Sequence, residues 1–301
     1  MLTLFSVPKA FVGEYTQIQE NAIQSWLSLT TKPPEIILLG NEKGIKNICR
    51  KYKLLHIPTI KRNKYGTPLL NDIFEKAQYK ASNNTLMYSN ADIVYTHNID
   101  NVIKKLTDKF EMFVSAGKRY ELHDVQIDFN KKNWGKIIQL KCQIEGELKG
   151  PSWMDYFIFT KGAFGLIPQF ALGRTFWDKW LLWKASSTEV PLINTTFDIF
   201  AIHQSHGYTY NGSTSSRIWE GTEALENIQM AGGWSNGHTL NDADWNIKQG
   251  HLIQAKKTNY LMMRFAKKLV DTMPFSWPLL MKLRYLKIKN GINREGAILK
   301  D

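Results

Sequence analysis

Residues 85–96 read TLMYSNADIVYT, and this stretch decides the fold. Its two ends, residues 85–89 and 93–96, are rich in β-branched and aromatic side chains, so each end predicts a strand. Between them lies one short polar break, Asn90-Ala91-Asp92. An unpaired carboxylate at the end of a buried strand is costly, so it usually binds a cation, a base or a helix N-terminus. Two interpretations follow: an ordinary Asx turn after a strand, or a metal ligand that holds a diphosphate.

The composition is that of an ordinary globular protein, with 43% hydrophobic and 22% charged residues among 301. This length fits one large domain or two small ones. The two cysteines, Cys49 and Cys142, are too few and too far apart to predict a zinc site or a disulfide framework. They favour a reduced compartment, and no leader sequence or apolar run of about 18 residues is evident. We therefore expect a cytoplasmic protein.

The formal net charge of +12 is concentrated towards the C-terminus. Residues 251–301 contain eleven Lys or Arg and three Asp or Glu, and 11 − 3 gives +8 of that total. The remaining +4 is spread over residues 1–250, which argues against a nucleic-acid groove through the fold. We accordingly expect a main domain at residues 1–250 and a basic amphipathic extension at residues 251–301.

Strands and helices alternate along the first part of the chain. Strands are predicted at residues 2–7, 35–39, 54–60 and 85–89, and helices at residues 14–29, 45–52 and 69–81. This order predicts a parallel sheet covered by helices on both faces. Polar loops at residues 6–9, 40–42 and 90–92 follow three of these strands, so they share the edge at which such sheets bind ligands. The chain contains no G-x-G-x-x-G and no Walker loop, so a standard dinucleotide or P-loop site is not favoured.

The remaining part of the chain is less regular in its pattern. Residues 124–143 are polar and basic, so we expect an excursion over the surface there. Residues 154–159 predict a strand that carries a carboxylate, and residues 192–202 predict one continuous strand. The core is expected to end at about residue 245.

Several short motifs follow one another along the chain. They are G-N-E-x-G at residues 40–44, G-T-P-L-L-N-D-I-F at 66–74, N-A-D-I at 90–93, G-P-S-x-x-D-Y-F at 150–157, G-R-x-x-W-D-x-W at 173–180 and A-I-H-Q-x-H at 201–206. In this order they resemble the GT-A-fold glycosyltransferases, and most closely a glycosyltransferase-like group found in bacteria and plants. The resemblance covers about residues 2–245.

The resemblance implies an α/β fold of GT-A type, in which a single domain has a mostly parallel central sheet flanked by helices. A helical basic C-terminal extension would follow it. The implied activity is transfer of a hexosyl or pentosyl group from a nucleotide-diphosphate donor to a glycan or glycolipid acceptor, in cell-surface polysaccharide biosynthesis. The alternative is a non-catalytic relative that binds a nucleotide or a glycan. A nucleotidyltransferase is disfavoured because no Gly-rich loop with Lys or Arg follows the first strand.

The resemblance also implies a metal site. Asn90-Ala91-Asp92 stands where the family carries its Asp-x-Asp motif, so Asp92 is the expected ligand of Mn²⁺ or Mg²⁺. Asn90 departs from that motif, which leaves metal dependence open, and we group it with the residues that bind the donor. His203 resembles the C-terminal histidine that completes the metal shell, although a core histidine bonded to the backbone is the alternative. His206 is a further candidate beside it, and His203-x-x-His206 lacks the helix and the Glu of a zinc-protease motif.

Two carboxylates are candidates for the base that takes the proton of the acceptor hydroxyl. Asp178 is the first candidate, because Trp177 and Trp180 on either side of it could face an acceptor sugar ring. The alternative is that Asp178 only supports the N-terminus of its helix through the dipole. Asp155 is the rival candidate, either as the base or as an acceptor contact.

The remaining expected donor-binding residues are polar or basic side chains, and one proline, in the loops after the strands. They are Ser6, Pro8, Lys9, Asn41, Glu42 and Arg119. Lys9 and Arg119 are the expected phosphate partners, since a guanidinium can bind phosphate through two parallel hydrogen bonds.

Residues 259–289 interleave aromatic and aliphatic side chains with Lys and Arg. This pattern is typical of helices that lie in an anionic membrane interface, and equally of a helical pair packed on the main domain. If the first interpretation is correct, deletion of residues 259–301 will abolish co-sedimentation with anionic vesicles. Unchanged co-sedimentation of the shortened chain would exclude it.

Overall fold

The structure is a computed structural model and describes residues 1–206 and 221–255. These residues form thirteen strands, seven α-helices and two short 3₁₀ turns. The strands are β1 (Leu2–Ser6), β2 (Glu35–Leu39), β3 (Leu55–Ile57), β4 (Thr85–Ser89), β5 (Ile93–Tyr95), β6 (Val114–Ala116), β7 (Arg119–Leu122), β8 (Glu147–Leu148), β9 (Tyr156–Thr160), β10 (Leu192–Asn194), β11 (Ala201–Gln204), β12 (Trp245–Lys248) and β13 (His251–Gln254). The helices are α1 (Glu14–Leu27), α2 (Ile45–Tyr52), α3 (Leu70–Lys80), α4 (Asp100–Lys109), α5 (Trp134–Glu145), α6 (Trp177–Ser187) and α7 (Thr222–Met230).

Nine strands form the central sheet, in the order β13-β12-β10-β6-β9-β4-β1-β2-β3. The strands β1 to β4 pair in parallel, as the alternation of strands and helices predicts. β9 is antiparallel to both β4 and β6, and β13 is antiparallel to β12, so all other strands of the sheet run in one direction. The predicted α/β fold class, with a mostly parallel central sheet flanked by helices, is confirmed.

The central sheet is buried on both faces, and the strand period of two explains which side chains go where. On β1, Leu2 and Leu4 enter the core beneath α1, α2 and α4, whereas Phe5 enters the core beneath α3, α6 and α7. Met87 and Tyr88 of β4 divide between the two cores in the same way. Continuous apolar strands such as these are typical of parallel sheets covered on both sides.

A second sheet of four short strands has the order β5-β11-β7-β8. β11 is antiparallel to β5 and parallel to β7, and β8 is antiparallel to β7. One face of this small sheet packs Leu122 and Ile202 against Ile138 and Cys142 of α5. Its opposite face is therefore left for the polar residues that alternate with these apolar ones.

Two of the sequence-based expectations are wrong in this region. Residues 124–143 were expected to be a surface excursion, but they contain most of α5, because Ile138 and Cys142, one helical turn apart, cover the small sheet. Residues 192–202 were expected to be one strand, but β10 and β11 belong to different sheets. The chain turns between them, where Asn194 Oδ1 accepts hydrogen bonds from the backbone N and Oγ1 of Thr196.

The core continues beyond residue 245, where it was expected to end. β12 pairs with β10, and β13 closes a hairpin on β12. Asp198 accepts hydrogen bonds from the backbone N–H groups of Gln249 and Gly250 at the hairpin turn. The start of the predicted basic extension is thus an edge strand, and residues 256–301, including the 259–289 stretch, lie outside the described residues. Within the described ranges, no helix combines the length and the apolar character needed to cross a membrane.

The aromatic side chains of the larger core make a sensitive test of this fold. Phe74 on α3 is 1% exposed and its ring lies 5.1 Å from that of Phe5 and 5.6 Å from that of Phe159. We expect Phe74→Ala to lower the free energy of unfolding by about 3–5 kcal/mol in urea titrations, because it leaves a cavity. Tyr79→Ala on the same helix is the control, and at 91% exposure it should change that energy by less than about 0.5 kcal/mol. Equal effects of the two substitutions would contradict this packing.

Candidate functional site

A row of charged side chains lies where the small sheet meets the carboxyl end of β4. Arg119 and Glu121 alternate with apolar residues on β7, so both stand on the sheet face opposite α5. His203 on β11 is directly opposite Glu121 in the parallel register, so it shares that face. Asp92 reaches the same place from the loop between β4 and β5. The fold thus brings together residues from three separate parts of the chain.

One carboxylate and two imidazoles form a compact cluster within this row. Asp92 Oδ2 lies 3.4 Å from His203 Nε2 and 3.2 Å from His206 Nε2. One potential ligand atom from each of the three residues lies within 4.8 Å of the others. The ring of Tyr15 on α1 packs edge-on against His206, with centroids 5.2 Å apart.

Hydrogen bonds and neighbouring charges shift the pKa values of Asp92 and His203 in opposite directions. Burial alone would raise the pKa of Asp92, but His203 and His206 beside it hold that pKa well below its usual range. Burial would likewise lower the pKa of His203, but Asp92 and Glu121 raise it to about 9. The raised pKa of His203 means that a metal binding at its Nε2 would compete with a proton there.

Glu121 and Arg119 continue the row away from Asp92. Glu121 Oε1 lies 2.8 Å from His203 Nδ1, and Glu121 Oε2 accepts a hydrogen bond of 3.0 Å from Arg119 Nη2. Although burial opposes it, these positive neighbours lower the pKa of Glu121 to about 2. Arg119 Nη1 in turn donates to Asp155 Oδ2 at 2.5 Å. Arg119, which was expected to bind phosphate, is placed between two carboxylates.

Asn90 is bonded to the residue at the far end of this row. Its amide nitrogen donates to Asp155 Oδ1 at 2.7 Å, and its amide oxygen accepts from the hydroxyl of Tyr88 at 2.9 Å. The backbone N–H of Asn90 also donates to the carbonyl of Asp155. An aspartate at position 90 would place a second carboxylate against Asp155, so the departure from Asp-x-Asp has a local physical reason.

Asp92 and the two histidines fit a divalent cation. Asp92 Oδ1 is buried and has no hydrogen-bond partner among the described residues, although its neighbour Oδ2 faces both imidazoles. A buried carboxylate oxygen without a partner is unfavourable, and a metal ion would satisfy it. One carboxylate and two imidazole nitrogens form a donor set that suits Mn²⁺ or Zn²⁺ better than Mg²⁺, which prefers oxygen ligands.

Asp178 lies in the first turn of α6, where Oδ1 accepts a hydrogen bond from the backbone N–H of Lys179. Burial raises the pKa of Asp178, and the negative charge of Asp155 adds to this effect. The helix begins after Phe176, whose φ of 90° is unusual for a bulky residue and marks local strain. Trp177 and Trp180 are 6% and 5% exposed within the core, so the suggestion that they face an acceptor sugar is wrong.

The expected donor residues of the first loop mostly fix the backbone. Ser6 is fully buried and donates to the carbonyl of Ser89 at 2.6 Å, which ties β1 to the end of β4. Pro8 is buried beside it. The backbone N–H and C=O of Lys9 are both bonded to the amide of Gln19, and Lys9 Nζ lies 4.3 Å from the ring centroid of Tyr15.

The second loop presents a different arrangement. Asn41 is exposed, and Glu42 forms an ion pair with Arg62 through Oε1. Glu42 Oε2 is buried and has no hydrogen-bond partner among the described residues. A buried carboxylate oxygen without a partner is unfavourable at this edge of the sheet.

Glu121 is not among the site residues expected from the sequence, and His206 is only a further candidate beside His203. The pair His203-x-x-His206 was visible in the sequence, but the position of His206 beside Asp92 depends on how the chain leaves β11. The alternation Arg119-Tyr120-Glu121-Leu122 would have placed Glu121 on the same strand face as Arg119, had a strand been predicted there.

No family model matches the chain, and no curated protein matches it. Solved structures do match. A structure of S. aureus TarS in complex with UDP-GlcNAc has 13% identity and a TM-score of 0.48, and the alignment covers 77% of this chain and 66% of that chain. This chain thus spans slightly less than two thirds of that TarS chain.

Two further structures are similar. A second TarS structure has 14% identity and a TM-score of 0.44, with 92% of this chain and 73% of that chain covered. A proposed nucleotide-diphospho-sugar transferase from Desulfovibrio desulfuricans G20 has 10% identity and a TM-score of 0.40, with 76% and 95% covered. At these identities the likeness concerns the fold alone.

The contact between Asn90 and Asp155 can be tested by measuring the stability of a variant at position 90. We expect Asn90→Asp to lower the free energy of unfolding by about 1–3 kcal/mol in urea with EDTA at pH 7, because two carboxylates then face each other. The exposed Asn130→Asp makes the same chemical change on the surface and should stay within about 0.5 kcal/mol of the wild type. A stability of Asn90→Asp equal to that of the control would show that Asn90 is not needed beside Asp155.

Proposed function

We propose that the protein is a glycosyltransferase that moves a sugar from a nucleotide-diphosphate donor to an acceptor hydroxyl. The observation that carries this proposal is the cluster of Asp92, His203 and His206, with the buried, unpaired Asp92 Oδ1, at the carboxyl edge of the central sheet. Ligands of open α/β sheets bind at this edge. The motif resemblance described above supplies the class of reaction.

In this proposal Asp92, His203 and His206 hold a divalent ion, Mn²⁺ or Mg²⁺, and the mixed donor set favours Mn²⁺. The ion supplies charge that stabilises the departing diphosphate. Glu42, in the loop after β2, contacts the nucleotide part of the donor. Ser6, Pro8 and the other residues of the first loop act by holding the backbone at this edge.

Asp178 is the proposed base. Its pKa is raised by burial and by the charge of Asp155, so its carboxylate accepts a proton more readily than an exposed one would. Asp155 has both oxygens engaged, one by Arg119 and one by Asn90, which suits a residue that fixes the site rather than one that takes a proton.

The acceptor we propose is a glycan or a glycolipid of the cell surface. With a lipid-linked acceptor, residues 259–289 would bring the protein to the inner face of an anionic membrane, and the protein would otherwise be cytoplasmic. The basic charge of residues 251–301 supports this placement. A hexosyl or pentosyl group is the transferred unit.

The second candidate is a non-catalytic relative that binds a nucleotide or a glycan. The engagement of Asn90 by Tyr88 and Asp155 favours it, because that amide is committed to protein contacts. The same site would then bind its ligand without turnover.

Calorimetric titration of UDP and GDP, with and without Mn²⁺, tests the proposed donor site. We expect one of the two nucleotides to bind only with the metal. Asp92→Ala should weaken this binding by more than about 100-fold, since it removes the only carboxylate of the cluster. Asp108→Ala, an exposed carboxylate on α4, is the matched control and should bind as the wild type does.

Turnover separates the two candidates. The enzyme would be supported if the wild type hydrolyses or transfers a UDP- or GDP-sugar and Asp178→Asn loses this activity while it still binds the nucleotide. Metal-dependent binding without any turnover would favour the binding protein. Failure of both nucleotides to bind the folded wild type would overturn the donor site as proposed for these two bases.

A further inference from the structure

The orientation of His203 is set by Glu121, a residue outside the ligand cluster. Glu121 Oε1 lies 2.8 Å from Nδ1 of the imidazole, on the side away from Asp92. Nε2, the other ring nitrogen, lies 3.4 Å from Asp92 Oδ2. A single imidazole thus bridges the two carboxylates, and its Nδ1 is committed to Glu121. The nitrogen left for a metal is the one that faces Asp92.

Glu121 is itself held at every oxygen. Oε1 accepts a second hydrogen bond of 2.8 Å from Ser205 Oγ, and Oε2 accepts one from Arg119 Nη2. The backbones of Glu121 and His203 are directly opposite each other in adjacent parallel strands, and β5 pairs with the other edge of β11. The His203 side chain is 3% exposed, so it has little room to turn. A carboxylate fixed by two other donors, Ser205 and Arg119, fixes the imidazole that it contacts.

We propose that Glu121 is a positioning residue of the metal centre. It holds the Nδ1–H tautomer of His203, directs Nε2 towards Asp92 and thereby increases the affinity of the cluster for a divalent cation. Carboxylates that accept the second N–H of a ligating histidine act in this way in other metal sites. This inference rests on the metal site of the proposed function and adds to it a residue that does not touch the metal.

A purely structural role for Glu121 predicts something different. In that case Glu121 would matter only as the partner that neutralises Arg119 in a buried place, and its loss would reduce stability without changing metal affinity. The two roles are therefore distinguished by the dissociation constant for the metal, measured on folded protein, and not by activity.

The experiment is a titration of Mn²⁺ alone into the full-length protein. Binding is measured by calorimetry and, independently, by the electron paramagnetic resonance signal of free Mn²⁺. We expect Glu121→Gln to raise the dissociation constant by about 10- to 100-fold. Glu147→Gln is the matched control, because Glu147 pairs with Glu121 in the register of β8 and β7 but has a 71% exposed side chain. The control should bind Mn²⁺ as the wild type does. Thermal melting in EDTA measures the stability of each variant separately.

Ser205→Ala provides a second, milder variant. It removes one of the hydrogen bonds that fix Glu121 and leaves all charges in place, so we expect a several-fold rise in the dissociation constant. If Glu121→Gln does not fold, Ser205→Ala decides the question.

The outcomes separate this inference from the proposed function. A wild type that binds Mn²⁺, together with variants that bind it equally well but melt at lower temperature, would overturn the positioning role and leave the metal site intact. A wild type that does not bind Mn²⁺ would overturn the metal site and this inference with it. Weaker binding in Glu121→Gln with unchanged binding in Glu147→Gln would support both.

Discussion

The site depends on one constraint, that a buried charge needs a neighbour of opposite sign. Asp92, His203, Glu121, Arg119 and Asp155 form a row in which negative and positive groups alternate, with contacts of 2.5–3.4 Å from one to the next. Removing any member would leave its neighbour with unbalanced charge in a poorly solvated place, which costs several kcal/mol. The row is therefore maintained as a whole. Asn90 ends it with an uncharged amide, whereas a further carboxylate would break the alternation.

The same alternation links the fold to the site. The small sheet has one apolar face that packs on α5 and one charged face, and the period of two along β7 and β11 separates them. A shift of one residue in the register of β11 would turn His203 towards α5 and away from Asp92, and it would remove Ile202 from the apolar face. The helix α5 thus stabilises the charged row indirectly, because it keeps the strands in the register that the row requires.

The strands β1, β2, β4 and β9 of the central sheet could be predicted from the sequence because each is a five-residue, mostly apolar run. Most of the small sheet could not, since β7 and β8 are only four and two residues long and β8 lies in a polar segment, although a strand was predicted at β5. The helix α5 was hidden for a similar reason, because only one narrow stripe of it is buried. Chain breaks such as the turn after Asn194 depend on side-chain hydrogen bonds that no periodicity reveals.

Some residues of the candidate site could be identified from the sequence, and others could not. Asp92, His203 and Asp155 were identified by motif order, and the structure places them in one connected network, although their roles remain predictions. Glu121 was missed because an acidic residue in a short strand has no distinctive pattern. The aromatic residues beside Asp178 were misjudged, since tryptophans near a helix start can belong to the core as readily as to a sugar-binding surface.

The order in which the chain folds follows from where these residues lie. Asp92 and His206 are 114 positions apart along the chain, and Asn90 and Asp155 are 65 positions apart. The first four strands pair with one another in parallel, within residues 2–89. The ligand cluster, by contrast, closes only after β11 has inserted between β5 and β7. Contacts of such long range form slowly because loop-closure entropy must be overcome first. During synthesis the cluster of Asp92, His203 and His206 is therefore incomplete until residue 206 has left the ribosome.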